Sequence, residues 1–227
     1  MVTTLGIDST GAACSAAIWR GKRVVARRFA AMERGQAEAL MPMVAAVLEE
    51  AALAIEALDL IAVTVGPGAF TGVRIGIAAA RGLSLASGVP ALGISSFVAA
   101  AAQAPIEERR GRALLVALDS RRAEFFVEMF GADDAPLGPG ALLSAGEITA
   151  RLPAGPLLLA GDAAAALVAA LERTDLALAS RAGAVDAADV AGLAARAWRP
   201  GMRPPPPEPL YLRAPDTTMP RDKVRER

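Results

Sequence analysis

Two short segments, Asp8-Ser9-Thr10 and Asp119-Ser120, each end an apolar run with a carboxylate followed by hydroxyls. A third, GPGAFTGVRIG from Gly66, gathers glycines ahead of Arg74. Carboxylates at strand ends can hold a hydrated Mg²⁺ while neighbouring hydroxyls and amides touch phosphate. Gly66, Gly68 and Gly72 would let backbone amides and a helix N-terminus face an anion, with Arg74 supplying charge. Asp8, Ser9, Thr10, Gly68, Arg74 and Asp119 are thus candidate nucleotide- or phosphate-facing residues, suited to Mg-ATP or Mg-ADP. Each has a plainer reading. Asp-Ser-Thr closes turns in any fold, and glycines make tight strand-to-helix turns that Thr71 would cap. The lysine of a phosphate loop is absent, Arg121 and Arg122 can pair with Asp119 or nearby acids, and Gly161-Asp162 reads as a helix start capped by Asp162.

Composition removes other chemistry. With no histidine, the chain cannot build a Ser-His-Asp triad, a Cys-His pair or a helix-borne zinc motif. Cys14 is alone, which excludes disulfides and thiolate clusters and reads as a small core filler. No metal ligands and no catalytic residues are assigned. Basic and acidic side chains balance at 24 each, and lysine occurs only at Lys22 and Lys223, so RNA binding by this chain alone is expected to be weak. No apolar run reaches the roughly 20 residues of a membrane helix, and the opening residues read as a strand with no leader pattern, so a soluble cytoplasmic protein is expected.

Three short runs, TTLGID, AACSAAIW and RVVARRF, predict an antiparallel meander, and Leu40, Met41, Val44, Val47 and Leu48 predict a helix over 36–51. Pro42 predicts a kink or a later start there. DLIAVTV is a buried strand and 73–87 a helix, followed by strand PALGIS and a short helix over 97–103. ALLVALDS, AEFFVEMF, PLLLAG, the alanine-rich stretch after Asp162 and a helix over 187–198 repeat the pattern, so Asp8-Ser9 and Asp119-Ser120 occupy equivalent places. A duplicated βββαβα unit is the organisation of the α/β actin-like superfold, which shares a ribonuclease H-like core with Hsp70 and sugar kinases: a first lobe over 1–105, a second over 106–214, facing a cleft. PGMRPPPPEP predicts an extended, solvated stretch, YLR a docking segment and 215–227 a frayed tail. Gly72, Gly76, Ala80 and Ser84 form a small-residue stripe that a second helix could approach, from this chain or another.

LGIDSTGAACSAAIW, LMPMV, GPGAFTGVRIGIAAARGLSLA, VALDSRRAEFFVEMF and EPLYLR resemble the TsaB (YeaZ) family in order and spacing, from the first strand to about Arg213. The resemblance implies a subunit without catalysis of its own that supports its paralogue TsaD. In that system TsaD makes threonylcarbamoyladenosine (t6A) beside the anticodon of tRNAs reading codons that begin with A. It implies contact with TsaD, or with a second copy when TsaD is absent, through first-lobe helices. Leu40, Val44, Val47, Gly72, Gly76, Ala80 and Ser84 are the interface candidates on that basis. It also implies the ATPase TsaE as a partner and tRNA contact only through the complex. TsaD holds its metal through histidines; Gln36 falls near a place where related chains often carry one. The alternative is an autonomous Mg-ATP-dependent phosphotransferase or nucleotide-binding protein using Asp8 and Asp119.

Overall fold

Short apolar runs separated by turn residues produce the expected opening meander: β1 (Thr3–Asp8), β2 (Ala13–Arg20) and β3 (Arg23–Ala31) pair antiparallel. The computed structural model describes residues 1–131 and 135–213, so the predicted tail over 215–227 lies outside the described residues. α1 (Gln36–Glu50) follows and leads into β4 (Leu60–Thr64), α2 (Phe70–Ser87), β5 (Ala91–Ile94) and α3 (Ser96–Ala101). α1 runs through Pro42 from Gln36, so the later start is not adopted. β4 joins β1 in parallel and β5 joins β4, giving the order β3-β2-β1-β4-β5.

The second half repeats this topology. β6 (Ala113–Asp119) pairs antiparallel with β7 (Phe125–Phe130), which pairs with β8 (Ala141–Leu143). After α4 (Ala145–Thr149), β9 (Leu157–Ala160) lies parallel to β6, and after α5 (Ala164–Ala170), β10 (Leu176–Leu178) lies parallel to β9. The resulting order, β10-β9-β6-β7-β8, is the first sheet's order read from the other edge. Two βββαβα units with the same strand order make the actin-like fold expected from the sequence. β8 and β10 were not expected from the sequence; ALL and LAL are too short to show a period.

The last helix of each half crosses over. α3 packs on β6 and β7, whereas α6 (Ala187–Ala197) packs on β1, β2 and β4. Phe97, Ala100, Val190 and Ala194 of these helices and Trp198 just after α6 share one core cluster with Leu60, Leu114, Val116 and Phe126 of the two sheets. The outer faces hold separate clusters, under α1 and α2 on one sheet and under α4 and α5 on the other. The two five-stranded halves are thus interlocked by burial. Gly6 is required at the crossing, because a Cβ there would overlap the Ala187 carbonyl and sit 2.9 Å from the Ala191 side chain. The N-terminus of α6 is tied down by Ser15, whose Oγ accepts from Ala187 N at 3.0 Å, and by Arg27, which pairs with the capping Asp186 at 2.5 Å. Among the described residues no helix is long and apolar enough to cross a membrane.

Candidate functional site

β1 delivers Asp8 to the point where the two lobes meet, and the carboxylate is completely buried. Its Oδ1 accepts from Thr64 Oγ1 at 2.5 Å and Thr10 Oγ1 at 2.7 Å, while Oδ2 has no partner among the described residues. Burial disfavours the charged form and pushes the carboxyl up to about 6; the threonine hydrogen bonds oppose this, and the charge of Asp162 adds to it. Ser9 and Thr10 are buried with it, and Ser9 Oγ donates to Gly72 O at 2.8 Å.

The glycine-rich loop is what buries this turn. Ala69 N donates to Thr10 O at 2.7 Å, so an amide that could have faced an anion is used within the chain. A Cβ on Gly68 would lie 2.5 Å from Thr10 O, one on Gly72 would overlap Ser9 O, and one on Gly76 would lie 2.9 Å from Ser9 Oγ. The small residues at these positions let α2 lie directly on the Asp8-Ser9-Thr10 turn. The stripe of Gly72, Gly76 and Ala80 therefore packs internally, and Ser84 is half-buried. Leu40, Val44 and Val47 point into the outer core of the first lobe. This corrects the interface reading of all of these except Ser84: the apolar periodicity that nominated them marks the buried face. The outward faces carry instead Met41, Pro42 and Ala45 on α1 and Phe70, Arg74, Ala78 and Leu85 on α2.

Two further expectations are corrected. Thr71 does not cap α2, which starts at Phe70 after Ala69 with no side-chain cap. Arg74 does not reach the turn: its guanidinium lies over the Phe70 ring, 3.2 Å from the centroid, and 5.2 Å from that of Tyr211.

The second carboxylate sits differently. The Asp119 side chain is 43 % exposed and pairs with Arg121 at 3.5 Å. Asp162 does not cap α5, which starts after Ala163; its Oδ1 accepts from Asp119 N at 2.9 Å across the sheet. Burial, and then the charge of Asp119, raise the Asp162 carboxyl above its usual range. Among the described residues no group of three or more Asp, Glu or Cys is arranged to hold a metal ion.

An open cleft of about 750 Å³ lies beside the turn, walled by Gln36, Phe70, Ser120, Arg121, Phe126 and Tyr211 among others. Neither Asp8 nor Asp119 lines it. Gln36 opens α1 and its Nε2 donates to Met32 O at 3.2 Å. The far wall is a C-terminal strap that the sequence reading only partly found. Met202, Arg203, Pro205, Pro206 and Glu208 of the proline run are exposed as expected, whereas Pro207 is buried: its carbonyl accepts from Arg81 Nε at 2.9 Å and it lies against Gly93. Leu210 N donates to Val65 O at 2.7 Å, and Tyr211 stacks on Phe70 with centroids 5.4 Å apart, so YLR docks as expected.

A profile of the TsaD family, described as tRNA N6-adenosine threonylcarbamoyltransferase, matches residues 30–133. The chain is 33% identical to the tRNA threonylcarbamoyladenosine biosynthesis protein TsaB of Escherichia coli over 130 residues, which cover 57% of this chain and 55% of that protein. An uncharacterised protein of Mycobacterium tuberculosis is 34% identical over 216 residues, covering 94% and 93% of the two chains. The crystal structure of YeaZ from Pseudomonas aeruginosa superposes with a TM-score of 0.80 at 30% identity, covering 93% of this chain and all of that one.

Proposed function

This chain belongs to the TsaB (YeaZ) family, and on that premise we propose that it is the non-catalytic supporting subunit of a t6A-forming complex, heterodimerising with a TsaD paralogue through the first lobe. TsaD transfers threonylcarbamoyl to the adenosine beside the anticodon; TsaE joins the assembly, tRNA is met only through it, and the cytoplasm is its place. The observation that carries the reading is the sealed Asp8 turn. In a nucleotide-using lobe this turn must stay open to phosphate, whereas here the glycine loop covers it and takes its carbonyl with Ala69 N. The residues at the turn do not fit a Mg-nucleotide, because Asp8, Ser9 and Thr10 are all buried and a carboxylate with a raised pKa is a poorer cation ligand. The Arg-bearing cleft beside it lacks both carboxylates. These features weigh against the autonomous phosphotransferase.

The contact surface is the outward face of α1 and α2, which touch each other and expose Met41, Pro42, Ala45, Phe70 and Ala78. Light scattering on the chromatographed mixture with TsaD of the same organism is expected to give a heterodimer, and cells depleted of this chain are expected to lose t6A. Unchanged t6A in depleted cells would refute the supporting role. Calorimetric saturation by Mg-ATP in the isolated chain would revive the alternative.

A further inference from the structure

Arg74 is held unlike the ion-paired arginines of the chain. Arg27, Arg28, Arg173 and Arg181 each pair with a carboxylate, of Asp186, Glu50, Asp175 and Asp189. Arg74 has no hydrogen bond or ion pair among the described residues, and its contacts are ring faces: Phe70 one turn before it and Tyr211 from the strap. Both rings are themselves exposed, at 44% and 39%. The Phe70 ring covers one flat face of the guanidinium and Tyr211 stands beside it, and this stacking uses none of the N–H donors, which can still take a carboxylate in a forked pair.

We propose that Arg74, stacked on Phe70 with Tyr211 beside it, is the anchor through which this chain binds a carboxylate of its protein partner, and that the C-terminal strap is part of that surface; the inference rests on the heterodimer reading above. Two observations favour a protein carboxylate. The outward faces of α1 and α2 around Arg74 combine Phe70, Met41, Pro42, Ala78 and Leu85 with arginines and no lysine, the residue pattern of a protein interface core. The guanidinium is also preorganised, since the rings restrict a side chain that would otherwise lose its freedom on binding.

The strap supplies the second aromatic neighbour. It is anchored on both sides of the first lobe's last strands, by Arg81 to Pro207 O and by Leu210 N to Val65 O, and Leu210 O lies 2.8 Å from where a Cβ on Gly66 would be. Leu212 packs onto the inner core. Tyr211 is thus fixed against α2 instead of trailing in solvent.

The test is calorimetric titration of full-length chain with TsaD from the same organism, at low and moderate salt, alongside melting curves for every variant. Arg74→Ala is expected to weaken binding about 30-fold, Arg74→Lys to recover only part of the loss, Arg74→Glu to bind worse than Arg74→Ala, and Tyr211→Ala to weaken binding about fivefold. Melting temperatures should stay near wild type, since both side chains are exposed. Arg74→Ala binding within about twofold of wild type would overturn the anchor alone. Equal binding by Arg74→Glu and Arg74→Ala would overturn the carboxylate. Self-association of the isolated chain that Arg74→Ala abolishes would make the occupant a second copy, and loss of tRNA retention with TsaD binding intact would make it RNA; either overturns the proposal. Absence of wild-type binding would remove the heterodimer reading and the anchor with it.

Discussion

The two halves of the molecule end their first strand with the same dipeptide, yet Asp8-Ser9 is sealed, whereas at Asp119-Ser120 the serine is buried and the carboxylate opens toward solvent. At Asp8, a loop and helix stripped of side chains at Gly68, Gly72 and Gly76 settle onto the turn, and two threonines bond one carboxylate oxygen. At Asp119, the corresponding loop holds Gly161-Asp162, so the neighbour is a second carboxylate that takes the Asp119 amide and leaves the side chain to Arg121. Equivalent position in a duplicated fold therefore does not mean equivalent chemistry. What lies on the turn decides whether its carboxylate is a buried structural group or a solvated one.

The contrast is easiest to break at Gly72. Gly72→Ala places a methyl into the Ser9 carbonyl and is expected to cost about 3 kcal/mol or more, read by urea unfolding. Gly82→Ala in the same helix meets nothing within 4 Å and should instead stabilise by about 0.5–1 kcal/mol. A mild effect at Gly72 would mean the loop does not lie on the turn.

Asp8 comes next. Its carboxyl is raised from 3.8 to about 6 on folding, so the native state holds the proton more tightly than the unfolded chain. The resulting stability is fully present below pH 3.8, falls as pH rises through about 6, and is absent above it. Relative to Asp8→Asn, which cannot titrate, the wild type should lose about 2 kcal/mol between pH 4 and pH 7.5. Parallel stability curves for the two proteins over that range would show that Asp8 is hydrated.

Asp162→Ala leaves the Asp119 amide without its acceptor and should cost about 1–2 kcal/mol. It should also move the Asp8 transition to lower pH by removing a like charge. The smallest effect belongs to Asp119→Asn, within about 0.5 kcal/mol, because its ion pair is exposed. A larger loss there would make the two strand ends alike after all.

Much of the fold was legible before any coordinates. The opening meander, α1, β4, α2 and the repeat beginning at Ala113 follow from apolar period and turn residues, and the missing histidines limit chemistry without reference to shape. The site was legible only as a set of segments. Gly68 and Gly72 were correctly singled out, but whether they face an anion or a neighbouring backbone depends on Ser9 and Thr10, far away in the chain. Leu40, Val44 and Val47 carried a true signal, that of a helix face, whose meaning as core required knowing which surface it met.

By itself, then, the sequence determined the elements, their duplication and the absence of histidine chemistry, because these depend on neighbours within a turn or a strand. Tertiary structure alone decided that α6 crosses to the first sheet, that Asp162 serves Asp119 instead of its own helix, and that Arg74 meets Tyr211. Each of those joins residues far apart along the chain, where local periodicity records that a surface is apolar or a group is polar but not which partner will cover it.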